Sequence, residues 1–241
     1  MPSATVKSSY MRGVLAALPF ILVVVPFGML FGVIGVEAGL NMVEIMAMTT
    51  LVIAGASQFT AVQLMSENAP IIVVLASALA VNLRMAMYSA SLVPYLGKAP
   101  IWQKALIAYM NVDQTYAISV QEYETRPETL ANRVAFFFGT STPILPLWVG
   151  ATYLGAVLGN AIPPEYGLDF ALPIAFIAIT GPALRTLAHV AAAATAVLVA
   201  ILLAGLPWNL WLLIAGAAGM IVGAEIERRT DKRATPRRAG P

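Results

Sequence analysis

Two ionisable side chains stand inside strongly apolar sequence. Arg84 follows Asn82 in the run 70–95, and Asp113 lies in the run 103–121 with Asn111, Gln114 and Thr115. A charge near the centre of a bilayer costs about 2.5–3.5 kcal/mol even on lenient insertion scales, so each needs a partner or a purpose. One chemistry that uses such a pair is an aqueous cavity that holds a zwitterionic or ionic solute, or that takes up and releases a proton. The other reading is a structural ion pair, in which loss of either charge strands the other in low dielectric. Spacing alone leaves open whether the two meet. On continuous helices Arg84 shares a face with Tyr88, Asn111 with Thr115, and Asp113 with Tyr109 and Tyr116.

A second polar stretch, Gly55-Ala56-Ser57-Gln58-Phe59, sets a glycine, a hydroxyl and an amide in apolar surroundings. It predicts a broken helix. Backbone groups freed at such a break can hold a carboxylate or an ammonium group, with Ser57 and Gln58 completing the site. The plainer role for Ser57 and Gln58 is an interhelical hydrogen bond. Thr140-Ser141-Thr142-Pro143 is a weaker case, where the hydroxyls can relieve carbonyls freed by the proline. Arg185, near a segment boundary, can snorkel to the headgroups.

The elements that position these groups must be membrane spans. Of 241 residues, 59% are hydrophobic and 11% charged, against roughly 45–50% apolar and about 25% charged in soluble domains. The uncharged run 13–36 is long enough to cross a layer of about 30 Å, and it continues past Pro19 and Pro26 without a signal-peptide pattern. Further apolar runs follow at 43–66, 70–95, 103–121, 133–159, 168–184, 187–205 and 208–224. The expected fold is therefore an all-α, polytopic transmembrane helical bundle of about eight spans, with broken or Pro/Gly-interrupted helices. Three parts are expected: a cytoplasmic segment 1–12, a transmembrane domain 13–224, and a basic, disordered cytoplasmic tail 225–241. Lys7 and Arg12 before the first run and the basic tail after the last put both ends in the cytoplasm by the positive-inside rule. With eight spans Lys98 and Lys104 fall on the outer side, against that rule. Seven spans result if a segment between 43 and 97 dips into the bilayer and returns.

Glycines four apart, Gly28/Gly32, Gly35/Gly39, Gly155/Gly159 and Gly219/Gly223, mark faces for close helix packing. The first and fifth runs share paired prolines followed by glycines, a weak hint of an internal repeat. The net charge is +2, with the basic excess in the tail, so the body offers no surface for nucleic acid. With no Cys and one His, thiolate and His-built metal sites are excluded within one chain, and no cofactor is expected.

The segments LPFILVVVPFGMLFGV from Leu18, GASQF at 55–59, NLR at 82–84 with Tyr88, Ser91, Leu92 and Pro94, Asp113 with Thr115, and LDFALPIAF at 168–176 resemble the AzlC family. The resemblance runs from about residue 10 to 225. It implies the large subunit of a bacterial branched-chain amino-acid exporter in the inner membrane. The substrates would be leucine, isoleucine, valine and often methionine, driven by proton antiport. It also implies a small AzlD-type membrane subunit, which could supply surface for the glycine faces to pack against. Met85 and Gln114 depart from the family pattern, which often has polar and acidic residues there. Asp113 is then the remaining candidate proton carrier, and Ser57, Gln58, Asn82, Arg84, Asp113, Gln114 and Thr115 form the candidate set for substrate or ion coupling.

Two other functions compete. Gly55-Ala56-Ser57 superficially resembles the Gly-x-Ser of rhomboid proteases, and an intramembrane serine hydrolase would use Ser57 with His189 as base. A non-transporting assembly subunit would instead bury Arg84 and Asp113 against protein with no cavity.

Overall fold

The computed structural model describes residues 5–159, 184–206 and 210–234. Among these residues the secondary structure is helical throughout. Helix α1 (Val6–Ala17), a 3-10 turn (Leu18–Phe20) and α2 (Ile21–Glu37) join into one rod, Val6–Glu37, 32 residues long. Then follow α3 (Met42–Leu51), α4 (Gly55–Ser66), α5 (Ile71–Leu96), α6 (Ile101–Tyr109), α7 (Asp113–Thr125), α8 (Leu130–Gly159), α9 (Leu187–Leu203) and α10 (Leu210–Ala234). Among the described residues four stretches are long and apolar enough to cross a membrane: Val6–Glu37, Ile71–Leu96, Leu130–Gly159 and Leu210–Thr230. The expected class, a helical membrane bundle with interrupted helices, is the one observed. The apolar run at 168–184 and the LDFALPIAF segment fall almost wholly outside the described residues.

The rod and α8 form the centre of the packing. A Cβ at Gly13 would collide with the carbonyl of Phe136, one at Gly32 with that of Thr152, and one at Gly155 with that of Met29. Matching positions therefore rise together along both helices, which run parallel with their backbones in contact. Prolines are tolerated inside both, Pro26 in α2 and Pro143 and Pro146 in α8. Gly219 and Gly223 receive Ala192, Ala196 and Ala188 of α9, so α9 and α10 are antiparallel. The chain thus fills these glycine faces itself, rather than leaving them for a second subunit. Gly39 has another role: with φ +81° it turns the chain after α2 and meets no neighbour.

Two expected spans turn back instead of crossing. Helix α3 descends from the Glu37 end of the rod, Ile45 lying against Gly35 and Thr49 bonding Thr152 (Oγ1 to Oγ1, 3.2 Å). After the break at 52–54, Gly55 touches Phe27, but Phe59 then packs on both Phe27 and Phe31. Thus α4 climbs back toward the Glu37 end, and its Leu64 clusters with Val74 at the start of α5. Helix α5 runs the other way, its Tyr95 reaching Tyr123 of α7 and Arg133 at the start of α8. That is the end where Arg12 of α1 pairs with Glu122 and Glu128. Helix α6 rises from this end, and after the break at 110–112 α7 returns to it beside α5, with Tyr116 stacked on Tyr88 and Tyr123 near Tyr95. The re-entrant segment considered between 43 and 97 is present as α3–α4, and a second one, α6–α7, enters from the opposite face.

The rod with its hairpin and α5 with its hairpin are the same parts in the same order, with inverted orientation across the bilayer. The repeat hinted at in the first and fifth runs pairs two parallel helices instead. Helix α10 starts with Leu212 against the Leu64–Val74 cluster and so ends at the Arg12 end. It runs through Ala234, past the boundary expected at residue 224, with Glu225 pairing Arg228 and Arg229 one turn on. Antiparallel α9 therefore begins at the same end, with Arg185 and His189.

Candidate functional site

The tips of the two hairpins meet in mid-molecule. Tyr109, the last residue of α6, donates its hydroxyl to the carbonyl of Thr50 near the end of α3. Between the breaks lies a cavity of about 80 Å³, room for several waters at about 10–15 Å³ each. Its polar wall is Arg84, Asp113 and Gln114, and Ala54, Gly55 and Ala56 line it at the start of α4. Its apolar wall is Val23, Val24, Phe27, Ile53, Met85, Val112, Ile144 and Trp148. Gly55 is the first residue of α4 and Asp113 the first of α7, so two helix N-termini, each with positive dipole character, point into the space from opposite faces.

Arg84 Nη2 lies 3.2 Å from Asp113 Oδ2, with side chains 29% and 42% exposed. The pair neutralises, yet it is not saturated: Arg84 Nε and Asp113 Oδ1 are buried with no hydrogen-bond partner. Trp148 Nε1 is in the same state in the opposite wall. Unpaired donors and acceptors of this kind cost about 1–3 kcal/mol each when nothing occupies the space beside them. Both ends of a zwitterion can be accommodated, a carboxylate by Arg84 and the first amides of α4, an ammonium by Asp113.

The other anticipated residues divide. Gln114 lines the cavity. Thr115 is buried and donates to the carbonyls of Met110 and Val112, closing the break rather than facing a solute. Gln58 is 2% exposed; its side-chain oxygen accepts the Ala54 amide at 3.4 Å, and its Nε2 has no partner. Ser57 is buried in the first turn of α4, and neither it nor Gln58 reaches the cavity wall. Asn82 lies outside the wall as well, with its Oδ1 buried and unpartnered. The hydroxyls of Thr140, Ser141 and Thr142 bond carbonyls of their own helix. The face shared by Tyr109 and Asp113 on a continuous helix does not form, because the break at 110–112 separates them. Tyr88 does share a face with Arg84, stacking at 4.1 Å on Tyr116.

Ser57 and His189 are not brought together. Ser57 is buried at the depth of the cavity, whereas His189 is exposed in the first turn of α9 at the Arg12 end. The cavity that Arg84 and Asp113 line together, with both side chains partly exposed, also runs against an assembly subunit that buries both. Residue types alone hid the apolar wall, since Val, Met and Trp are common throughout the chain. They also hid the ion cluster at the Arg12 end, where Arg12 lies 3.1 Å from Glu122 and 2.6 Å from Glu128, with Ser9 donating to Glu128 at 3.1 Å.

A family model described as AzlC protein matches residues 19–162, which hold both hairpins and the cavity. An uncharacterized membrane protein of Archaeoglobus fulgidus is 26% identical over 162 residues, 67% of this chain and 68% of that protein. Uncharacterized membrane proteins of two Helicobacter pylori strains, J99 and 26695, are each 27% identical over 153 residues, covering 63% of this chain and 65% of theirs. The chain thus spans about two thirds of the length of the curated relatives it matches. No solved structure matches.

Proposed function

The chain belongs to the AzlC family of membrane proteins, and from that premise we propose that it is the permease subunit of a bacterial amino-acid exporter. The substrates are branched-chain amino acids, leucine, isoleucine and valine and also methionine, moved out across the inner membrane by proton antiport. The observation that carries the reading is the cavity where the hairpin tips meet. It offers a cation, an anion and two helix N-termini for an α-amino acid's polar ends, and an aliphatic and aromatic wall for its side chain.

In this mechanism Arg84 takes the substrate carboxylate and Asp113 the ammonium group or a proton. Substrate binding loosens the Arg84–Asp113 contact, and its release restores it. The α3–α4 hairpin gates the Glu37 face and the α6–α7 hairpin the Arg12 face, which is cytoplasmic. The Arg12–Glu122–Glu128 cluster holds the inner hairpin shut. A small AzlD-type subunit belongs to the same proposal, docking on surfaces other than the glycine faces.

The test is leucine efflux from dipeptide-loaded cells that lack their own branched-chain exporters and express this chain with its small subunit. Wild type should export leucine; Asp113→Asn and Arg84→Ala, at matched membrane levels, should lose most of that rate. Efflux in the variants equal to wild type would remove the site from the mechanism. An inactive but assembled wild type would remove the substrate class.

A further inference from the structure

The second cavity lies outside the transport path. It is a groove of about 230 Å³ between α5 and α6 at the Arg12 end, lined by Ser89, Leu92, Val93, Leu96, Ile107 and Ala108, with Gly97 and Lys104 at its mouth. The groove lies where α6, nine residues long, comes beside the C-terminal half of α5. Its inner wall is hydrocarbon apart from the Ser89 hydroxyl, which already receives the Asn111 amide at 3.3 Å. Val93 is exposed beside it, and Trp102, two residues before Lys104 near the start of α6, is exposed as well.

Charge singles this groove out. Arg12, Arg126, Arg228 and Arg229 at the same end each pair with a glutamate, and Arg133 lies over the rings of Tyr95 and Tyr123. Lys98 and Lys104, like Lys7 on α1, are in no ion pair among the described residues; Lys98 lies in the turn from α5 into α6 and Lys104 in the first turn of α6, so two such cations meet at this groove. The first amides of α6, starting at Ile101, follow Pro100 in that turn and add donors without intrahelical acceptors. An apolar slot below uncompensated cations at the membrane interface complements one class of molecule.

We infer that this groove is a binding site for one anionic phospholipid of the leaflet at the Arg12 end. An acyl chain lies along Leu92, Leu96 and Ile107, and the phosphate sits between Lys98 and Lys104. The bound lipid wedges α5 against the first arm of the inner hairpin. The site stands independently of the transported substrate.

Native mass spectrometry of the purified full chain, titrated with phosphatidylglycerol or with phosphatidylcholine of the same acyl length, tests it. Wild type should retain one phosphatidylglycerol in preference to phosphatidylcholine. Lys98→Gln with Lys104→Gln should weaken that adduct roughly five- to twenty-five-fold, a factor of about five for each basic residue beside an anionic headgroup. Ala108→Phe, which fills the slot and keeps both lysines, should also lose it. Equal retention of the two lipids by wild type would overturn the inference, as would an undiminished adduct in either variant. Matching circular dichroism and size-exclusion profiles secure the comparison, and Lys104→Gln alone substitutes if the double variant does not fold.

Discussion

Arg84 and Asp113 touch through one nitrogen and one oxygen, and each keeps a second polar atom idle. The pair can therefore bridge two helices and still meet a solute, and substitution separates the two roles. Both side chains are partly exposed to the cavity, so losing one partner should cost about 1–2 kcal/mol of stability, less than the 3–5 of a fully buried pair. Arg84→Leu combined with Asp113→Leu should recover the thermal stability lost in either single variant while leaving leucine efflux abolished. Recovery of efflux along with stability would make the pair structural. Trp148→Phe removes the unpartnered indole N–H from the wall. It should lower the unfolding temperature modestly, through the ring contacts with Phe27 and Phe31 that it shortens, and raise the apparent KM for efflux several-fold if the indole N–H meets the solute. The charged members of the site were legible because a charge in apolar sequence demands an account. Trp148, Met85 and Val24 were not, because nothing in a residue type distinguishes a wall from lipid contact.

At the scale of elements, the close contact of the rod with α8 rests on absent side chains. Gly32→Leu or Gly155→Leu drives carbon into a backbone carbonyl that cannot move aside, and should lower stability by about 2–3 kcal/mol. Gly150→Ala and Gly216→Ala, where nothing lies within 4 Å, should instead be neutral or stabilise by about 0.5–1 kcal/mol through helix propensity. Thermal unfolding in detergent of the four variants checks the contrast, and a uniform response would contradict the packing. Spaced glycines announced these faces in advance. The hairpin breaks were announced unequally. Gly55 marks the first, whereas Met110-Asn111-Val112 contains neither Gly nor Pro. That second break is held locally by Thr115, which bonds the carbonyls of Met110 and Val112, and by one tertiary bond, from Tyr109 to Thr50, which local sequence does not display.

Across the whole molecule, the two hairpins sort the charges. With α3–α4 and α6–α7 returning to their own faces, Lys7, Arg12, Lys98, Lys104, Arg126, Arg133, Arg185, Arg228 and Arg229 all gather at one end, while Glu37, Glu44 and Glu67 lie at the other. The anomaly of Lys98 and Lys104, which eight plain crossings would expose on the outer side, disappears. With the Arg12 end in the cytoplasm, as proposed, every described basic residue except Arg84 obeys the positive-inside rule. Hydropathy could not reveal this, since an apolar run of about 20 residues reads the same whether it crosses the bilayer or enters and returns. The distinction is open to experiment because the chain has no cysteine of its own. Single cysteines at Glu67 and at Lys98 should be labelled by a membrane-impermeant maleimide from opposite sides, Glu67→Cys from outside in intact cells and Lys98→Cys only after permeabilisation. Eight plain crossings reverse both results, so the two positions together decide whether the polar breaks sit on re-entrant hairpins, and with them whether the cavity can be opened to either face by moving one hairpin at a time.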